Sequence, residues 1–444
     1  MNTKEIESSN NQFENNFNII VDEIINNLDK GYYENQKQKI LNYFNNHNIN
    51  LQEISDFLLN NQSDSNSIVL LGRFNYLGIG TEINNQKAFE LFQKAANLKN
   101  ASGICKLGYC YHDGIGTSID KQKVFELYQK AADLGNTSGI NNLGYCYQYG
   151  IGTNIDNQKA FELYQKAADL GNAIGICNLG YCYNDGIGTS IDKQKAFELY
   201  QNAADLGNIS GINDLGYCYE NGIGTSINKQ KAFELYQKAA DLEDINGINS
   251  LANCYKNGIG IDINKQKAFK LYQKAADLED INGINSLANC YENGIGTSIN
   301  RQKAFKLYQE VANLENADGI NSLANCYKSG IGTKINNQKA FKLYQKAANL
   351  ENANGINSLA NCYKNGIGIN IDKRKAFELY QKAADLENIF GINNLGYCYK
   401  NGIGTSTNEE KAFKLYQKTA NLKNADGINS LANCYENGIG TNID

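Results

Sequence analysis

An all-α solenoid of stacked helix pairs is the fold class this sequence predicts, and two observations predict it. A thirty-six-residue unit recurs without a slip, marked by one cysteine at Cys110, Cys146, Cys182, Cys218, Cys254, Cys290, Cys326, Cys362, Cys398 and Cys434. Within each unit the apolar residues fall at helical spacing twice, with a glycine-marked break between the two runs. Fixed self-similarity of this length belongs to chains in which each unit buries its apolar face against its neighbours, so that length counts units rather than domains.

Composition narrows the function. The 444 residues carry 42 Lys and Arg against 47 Asp and Glu, a net charge of −5. Such a chain offers no overall positive field to a phosphate backbone, which disfavours the helical repeats that read RNA and nucleic acid in general. The first residues, MNTKEIESSNNQF, lack the apolar core of a secretory signal, and no stretch approaches the roughly eighteen apolar residues of a membrane span. A soluble, cytoplasmic protein with no membrane partner is expected. Ten of the 12 cysteines share one repeat position, one helix-pair layer apart and beyond disulfide reach. Cys105 and Cys110, like Cys177 and Cys182, stand five apart on one helix and do not share a face. Reduced, half-buried packing thiols follow. No metal site is expected, since there is no CxxC pair and the only histidines are His47 and His112. The absence of proline and tryptophan reads as a coding bias.

In chain order, residues 1–12 are polar and read as disordered. Residues 13–66 read as a helical cap of three short helices: Phe13, Phe17, Ile20, Val21, Ile24 and Leu28 share one face, with Asp29, Lys30 and Gly31 closing the helix. Ile40, Leu41 and Phe44 mark the second helix, and Leu51, Ile54, Phe57 and Leu58 the third. The terminal unit of a solenoid needs a cover, so these helices cap the first repeat; a docking module for another domain or chain is the alternative. The array occupies 67–444.

The unit around Cys146 serves for all. Ile140, Leu143, Gly144 and Tyr147 form the buried stripe of the first helix, predicted over 138–149. Gly150 ends it in the left-handed conformation, and Gly152 lets the backbone turn tightly. Asp156 caps the second helix, a role taken in other units by Asn84, Asp120, Asp192, Asn228, Asn264, Asn300, Asn336, Asp372 and Asn408. That helix carries Ala160, Phe161, Leu163, Tyr164, Ala167, Ala168 and Leu170, with Glu162, Gln165, Lys166 and Asp169 on its solvated side. Gly171 stops it, or in later units a pair such as Glu243-Asp244 or Glu351-Asn352. Ten full repeats result, plus one unpaired first helix after which the sequence ends at Asp444. That end is read either as truncation or as a surface for association.

The string L-G-x-x-Y-x-x-G-x-G-x-x-x-D-x-x-K-A-x-x-x-Y-x-K-A-A is carried by Leu143, Gly144, Tyr147, Gly150, Gly152, Asp156, Lys159, Ala160, Tyr164, Lys166, Ala167 and Ala168. It resembles the Sel1-like repeat, and the match runs from about Ser67 to the end. That resemblance implies antiparallel helix pairs wound into a right-handed superhelix similar to tetratricopeptide arrays, and work as an adaptor or scaffold for other proteins. The leader helices look like those of some eukaryotic Sel1 proteins that also carry a protein kinase. A signalling protein such as a kinase is therefore one partner the resemblance suggests, although no kinase segment is present. Gly139 and its equivalents depart from the family's usual alanine, at a cost in helix propensity of up to ~1 kcal/mol each.

No chemistry is expected. The repeated Gly-Ile-Gly-Thr follows a helix in unit after unit, unlike a phosphate loop that follows a strand once. The cysteines have no base, and His112 beside Asp113 reads as a surface residue at a helix C-terminus. The chain is thus read as a non-enzyme without cofactors. A partner would bind the concave face, which first helices line. Opposite the buried stripe lie Ser138, Asn141, Asn142 and Tyr145, the positions at which the units differ. The candidate binding residues are Asn141, Asn142, Tyr145, Asn178, Tyr181, Asn213, Asp214, Tyr217, Asn249, Asn253, Asn285, Asn289, Asn321, Asn325, Asn357 and Asn361. Asparagine offers donors and an acceptor to a peptide main chain, and tyrosine gives rigid contact area. The alternative function is a structural solenoid that self-assembles through its C-terminal end.

Overall fold

In a computed structural model, residues 3–30 and 36–441 are described, with side chains described from Asn16 onward. Among the described residues there are 24 helices and no strand. Helices α1 (Thr3–Asp29), α2 (Gln36–Asn46) and α3 (Leu51–Asn60) form a leader. α1 starts inside the polar segment read as disordered. The helix pairs follow, beginning with α4 (Ser65–Leu77) and α5 (Asn85–Asn97), α6 (Ala101–Asp113) and α7 (Lys121–Asp133), and α8 (Thr137–Tyr149) and α9 (Asn157–Asp169). The chain divides into two compact units, residues 1–250 with 259–261, and residues 251–258 with 262–444. The division falls within α14 (Ile245–Asn257).

Each helix from α3 onward starts where a side chain can replace the missing carbonyl of a preceding turn. Asp156 accepts from the Lys159 N–H at 3.0 Å, and all ten residues expected to cap second helices do the same for the N–H three residues on. The first helices have a cap that the apolar spacing does not reveal. Asn136 accepts from Gly139 N–H at 2.8 Å, so α8 begins one residue ahead of the expected Ser138. Gly150 ends α8 with φ 68°, and Ile151 N–H reaches back to the Cys146 carbonyl at 3.0 Å.

The glycines that look costly for a helix are the points where helices touch. A Cβ on Gly139 would lie 2.6 Å from the Ala131 Cβ of the preceding second helix. Gly144 faces the Tyr164 ring, where a Cβ would stand 2.9 Å from Cε1. Gly152 combines φ 66° with a close approach, since a Cβ there would fall 2.2 Å from the Lys121 carbonyl oxygen. Tyr164, Ala160 and Ala167 are fully buried. Leu170 departs from its expected place in the apolar set: it caps the end of α9 and is 47 % exposed. Neighbouring repeats are clamped by a recurring aromatic contact. Phe125 meets Tyr147 edge-on at 5.5 Å, and the Lys159 ammonium stands 5.1 Å from the centroid of the same tyrosine.

In the first unit the leader extends the core. Phe17, Val21, Ile24 and Leu28 pack with Ile40, Phe44, Ile54, Phe57, Leu58 and the α4 residues Ile68 and Leu70. The Phe13 side chain lies outside the described residues. First helices α4, α6, α8 and α10 (Ala173–Asp185) touch in succession, whereas consecutive second helices make no comparable contact. The stack is therefore tighter along its first-helix side. The second unit repeats this between α18 (Ala317–Ser329), α20 (Ala353–Asn365) and α22 (Ile389–Asn401). All 12 cysteines are free, and they are fully buried rather than half-buried.

Candidate interaction face

The sixteen candidate residues all lie on first helices, and the structure distributes them unevenly between packing and surface. Tyr145 and Tyr217 are exposed, as are Asn253 and Asn325. Asn178, Asn249, Asn285, Asn289, Asn321, Asn357 and Asn361 are half-buried, and Asn141 is only 4 % exposed. Several are bonded along the array. Asn178 donates to Asn141 at 2.9 Å, Asn142 to the Cys105 sulfur at 3.8 Å, and Asn394 to Asn357 at 2.9 Å. The Tyr181 hydroxyl donates to the Asp214 carboxylate, to which the Cys177 thiol also donates at 3.6 Å.

The exchange of tyrosine for asparagine along this face has a local structural partner. Every unit with glycine at the position of Gly144 follows it with tyrosine or, once, Arg73, whereas every unit with alanine there follows it with asparagine. In three alanine units the asparagine accepts a hydrogen bond from the buried tyrosine of the paired second helix. Tyr272 donates to Asn253 at 2.6 Å, Tyr344 to Asn325 at 2.6 Å and Tyr380 to Asn361 at 2.8 Å. In the glycine unit of α8, Tyr164 instead donates to Gln148 at 2.7 Å.

One repeat position stays unsatisfied in each unit. The amide oxygens of Asn213, Asn285, Asn321 and Asn393 are buried and have no hydrogen-bond partner among the described residues. An orphaned buried acceptor is costly, by roughly 1–3 kcal/mol, so a repeated one asks for a donor from outside the fold.

The same side of the first unit grips a piece of the chain that sequence reading left as a helix terminus. Asp29 accepts from Ser102 at 2.9 Å and from Asn136 at 2.7 Å. Its main-chain carbonyl takes the hydroxyls of Thr137 and Ser138, each at 2.6 Å, and the Asn172 amide at 3.1 Å. The Ala173 N–H donates to the Lys30 carbonyl at 3.0 Å. The end of α1 thus spans the N-termini of α6, α8 and α10, three repeats deep, where unpaired helix N–H groups and capping side chains favour acceptors. Only the apolar pattern of α1 signalled this contact. The polar residues that hold it are ordinary repeat positions.

The thiols are held neutral, since burial pushes Cys146, Cys182 and Cys218 up to about 12. His112 pairs with Asp113 and stands edge-on to Tyr145, 6.1 Å between ring centroids. Among the described residues, no group of three or more His, Cys, Asp or Glu is arranged to hold a metal ion, and no helix is long and apolar enough to cross a membrane.

Capped helix pairs of fixed length, stacked through glycine contacts and aromatic clamps, define a helical-repeat solenoid of the kind that presents one helix of each pair as a surface. The Sel1 repeat family pattern matches eleven consecutive segments from residues 65–100 to 425–444, so the chain belongs to the Sel1 repeat family. Sel1 repeats form a TPR-like helical fold that commonly mediates protein–protein interaction. Three solved structures are similar to the chain. A protective antigen present in uropathogenic Escherichia coli strains displaying an SLR fold is 28 % identical over 89 % of this chain and 84 % of its own, with a TM-score of 0.46. A Sel1 repeat protein from Oxalobacter formigenes is 26 % identical over 55 % of this chain and 96 % of its own, with a TM-score of 0.47. Yeast Tom70 is 16 % identical over 89 % of this chain and 93 % of its own, with a TM-score of 0.42. No curated protein matches the sequence.

Proposed function

We propose that the chain is an adaptor that holds polypeptide segments of other proteins along the first-helix side of its repeats. The observation that carries this reading is one repeat position whose amide oxygen is buried and unpartnered among the described residues, at Asn213 in the first unit and at Asn285, Asn321 and Asn393 in the second. A free fold gains nothing from orphaned acceptors, whereas a bound segment can fill them with main-chain N–H groups. The grip on the end of α1 supports the same reading, because the first helices of the first unit already hold a helix end by its main-chain carbonyl. Exposed Tyr145 and Tyr217 add contact area of low entropy cost.

The double substitution Asn285→Leu with Asn321→Leu tests this. Replacing an orphaned acceptor by an apolar group of similar size leaves the free protein as stable or slightly more so, while a bound segment loses its acceptors. Thermal unfolding of the variant is expected to match or exceed that of the unaltered chain. Proteins retained quantitatively by the unaltered chain in affinity capture with mass spectrometry are expected to fall away from the variant. Retention of the same proteins at the same level by a folded variant would reject this face.

A further inference from the structure

Beneath the leader, between α1, α4, α6 and α8, lies a cavity of about 420 Å³. Leu28, Phe92 and Ile115 supply apolar wall, and Arg73, Lys106 and Tyr109 supply its polar groups. The repeat pattern breaks here and nowhere else in the same way. Arg73 stands at the position that holds tyrosine or asparagine in every other unit, and Lys106 at one that holds asparagine, aspartate or serine in every later unit.

The charges do not balance. Arg73 is 1 % exposed, and its Nη2 donates to Asp29 and its Nη1 to Gln36, each at 3.2 Å. Its Nε is buried and has no hydrogen-bond partner among the described residues. The half-buried Lys106 puts its ammonium 5.6 Å from the Tyr109 ring centroid, and among the described residues no carboxylate lies within ion-pair distance of it. Among the described residues, Asp29 is the one carboxylate paired with either cation, and Asp113 at the end of α6 meets the Tyr109 hydroxyl instead, so the Lys106 ammonium has no ion-pair partner in a pocket with apolar walls. Such a charge is stabilised by an anion that enters with it.

We propose that this cavity binds a small organic monocarboxylate with an apolar body. One surplus cation matches a monoanion rather than a doubly charged phosphate. Arg73 spends one Nη1 hydrogen on Gln36 and one Nη2 hydrogen on Asp29, and its buried Nε–H is the donor left for an oxygen of the ligand. The volume suits a small ligand, and the aliphatic and aromatic wall takes the apolar body while the Tyr76 and Tyr109 hydroxyls, 3.4 Å apart, lie beside the head group. This site is independent of the polypeptide-binding reading, since it uses neither Asn285 nor Asn321.

The protonation states allow it at neutral pH. Burial first, and then the neighbouring Arg73 charge, bring Lys106 down to about 8. The other titratable groups facing it are Asp29 from α1, Arg73 and Tyr76 from α4, and Cys105, Tyr109 and Cys110 from α6; α8 presents the uncharged Asn141 and Asn142. Burial holds the thiols of Cys105 and Cys110 up at about 12, so they stay neutral through this range. Affinity is thus expected to be full below about pH 8 and to weaken above it as Lys106 loses its proton.

Isothermal titration of the full chain with octanoate and with 3-phenylpropanoate, at pH 7 and pH 9, tests the proposal. Saturable binding of one molecule per chain is expected at pH 7. Octanamide should not bind, Lys106→Met should lose at least tenfold in affinity, and Lys106→Arg should keep most of it. Circular dichroism of both variants guards against a folding defect. The proposal is overturned by absence of saturable binding, by equal binding of octanamide, or by unchanged affinity in Lys106→Met. Inorganic phosphate binding more tightly than either carboxylate would overturn it too, as would binding confined to peptides with a free C-terminus.

Discussion

Asp29 is the last residue of α1, and the burial of Arg73 makes its carboxylate hard to replace. The guanidinium is 1 % exposed and the carboxylate 17 %. Removing one member of such a pair leaves a charge in the interior, which costs about 3 kcal/mol or more, whereas replacing both with apolar groups is close to neutral. Asp29→Ala also deletes the acceptor of Ser102 and Asn136. Urea unfolding of Asp29→Ala should show a loss of about 3 kcal/mol in the N-terminal part of the array, with hydrogen exchange rising in α1 and α4. Asp29→Ala combined with Arg73→Met should recover most of that loss. A single variant as stable as the unaltered chain would show that the pair does not fasten the leader. The sequence marked Asp29 only as a helix end, because its partners come from residues 44 to 143 positions away, and no local pattern encodes a contact at that separation. The tyrosine and asparagine positions of the face show the same limit. Their variation is visible in the letters, but its link to the buried hydroxyls of Tyr272, Tyr344 and Tyr380 requires knowing how close the paired helices lie.

Among the elements, the second helices end in two chemically different ways. Gly135, Gly171 and Gly207 take φ of 76–79° in open space. In later repeats Glu243, Glu279, Glu315, Glu351 and Glu387 hold the same turn at φ of 56–63°. A non-glycine residue in this conformation costs about 1 kcal/mol or more, of which roughly half is returned through the less flexible unfolded chain. Changing all five glutamates to glycine should therefore stabilise the chain by about 0.5 kcal/mol per site, seen as a higher urea midpoint, and Gly171→Glu should do the reverse. A lower midpoint for the glycine variant would mean that these side chains make contacts that outweigh the backbone term. Most of the element-level architecture was legible, down to all ten caps of the second helices, since helical spacing and a capping side chain three residues from its N–H are local signals. The asparagine caps of the first helices were missed because Asn136 follows a glycine that already reads as the end of the preceding helix.

At the scale of the whole molecule, the repeat multiplies one small effect until it governs behaviour in alkali. Burial raises the thiols of Cys146, Cys182, Cys218 and Cys326 to about 12, and those of Cys290, Cys362 and Cys398 to about 11, from an ordinary value of 9. An acid whose pKa is raised by folding keeps its proton longer in the folded state. Each thiol therefore contributes full stability below about pH 9 and loses it as pH climbs toward 11 to 12, because the unfolded chain gains by releasing protons that the folded chain retains. Burial raises the hydroxyls of Tyr164, Tyr200 and Tyr272 in the same direction, so the two residue types act together. The urea midpoint should be flat from pH 6 to 8.5 and fall steeply between pH 9 and 11. Thiol-specific labelling should remain slow at pH 8 in the folded chain and reach all 12 cysteines once urea unfolds it. A midpoint unchanged at pH 10.5, or rapid labelling of the folded array at pH 8, would mean that the repeat cysteines open to solvent in the native state and are not sealed inside their helix pairs as their burial describes.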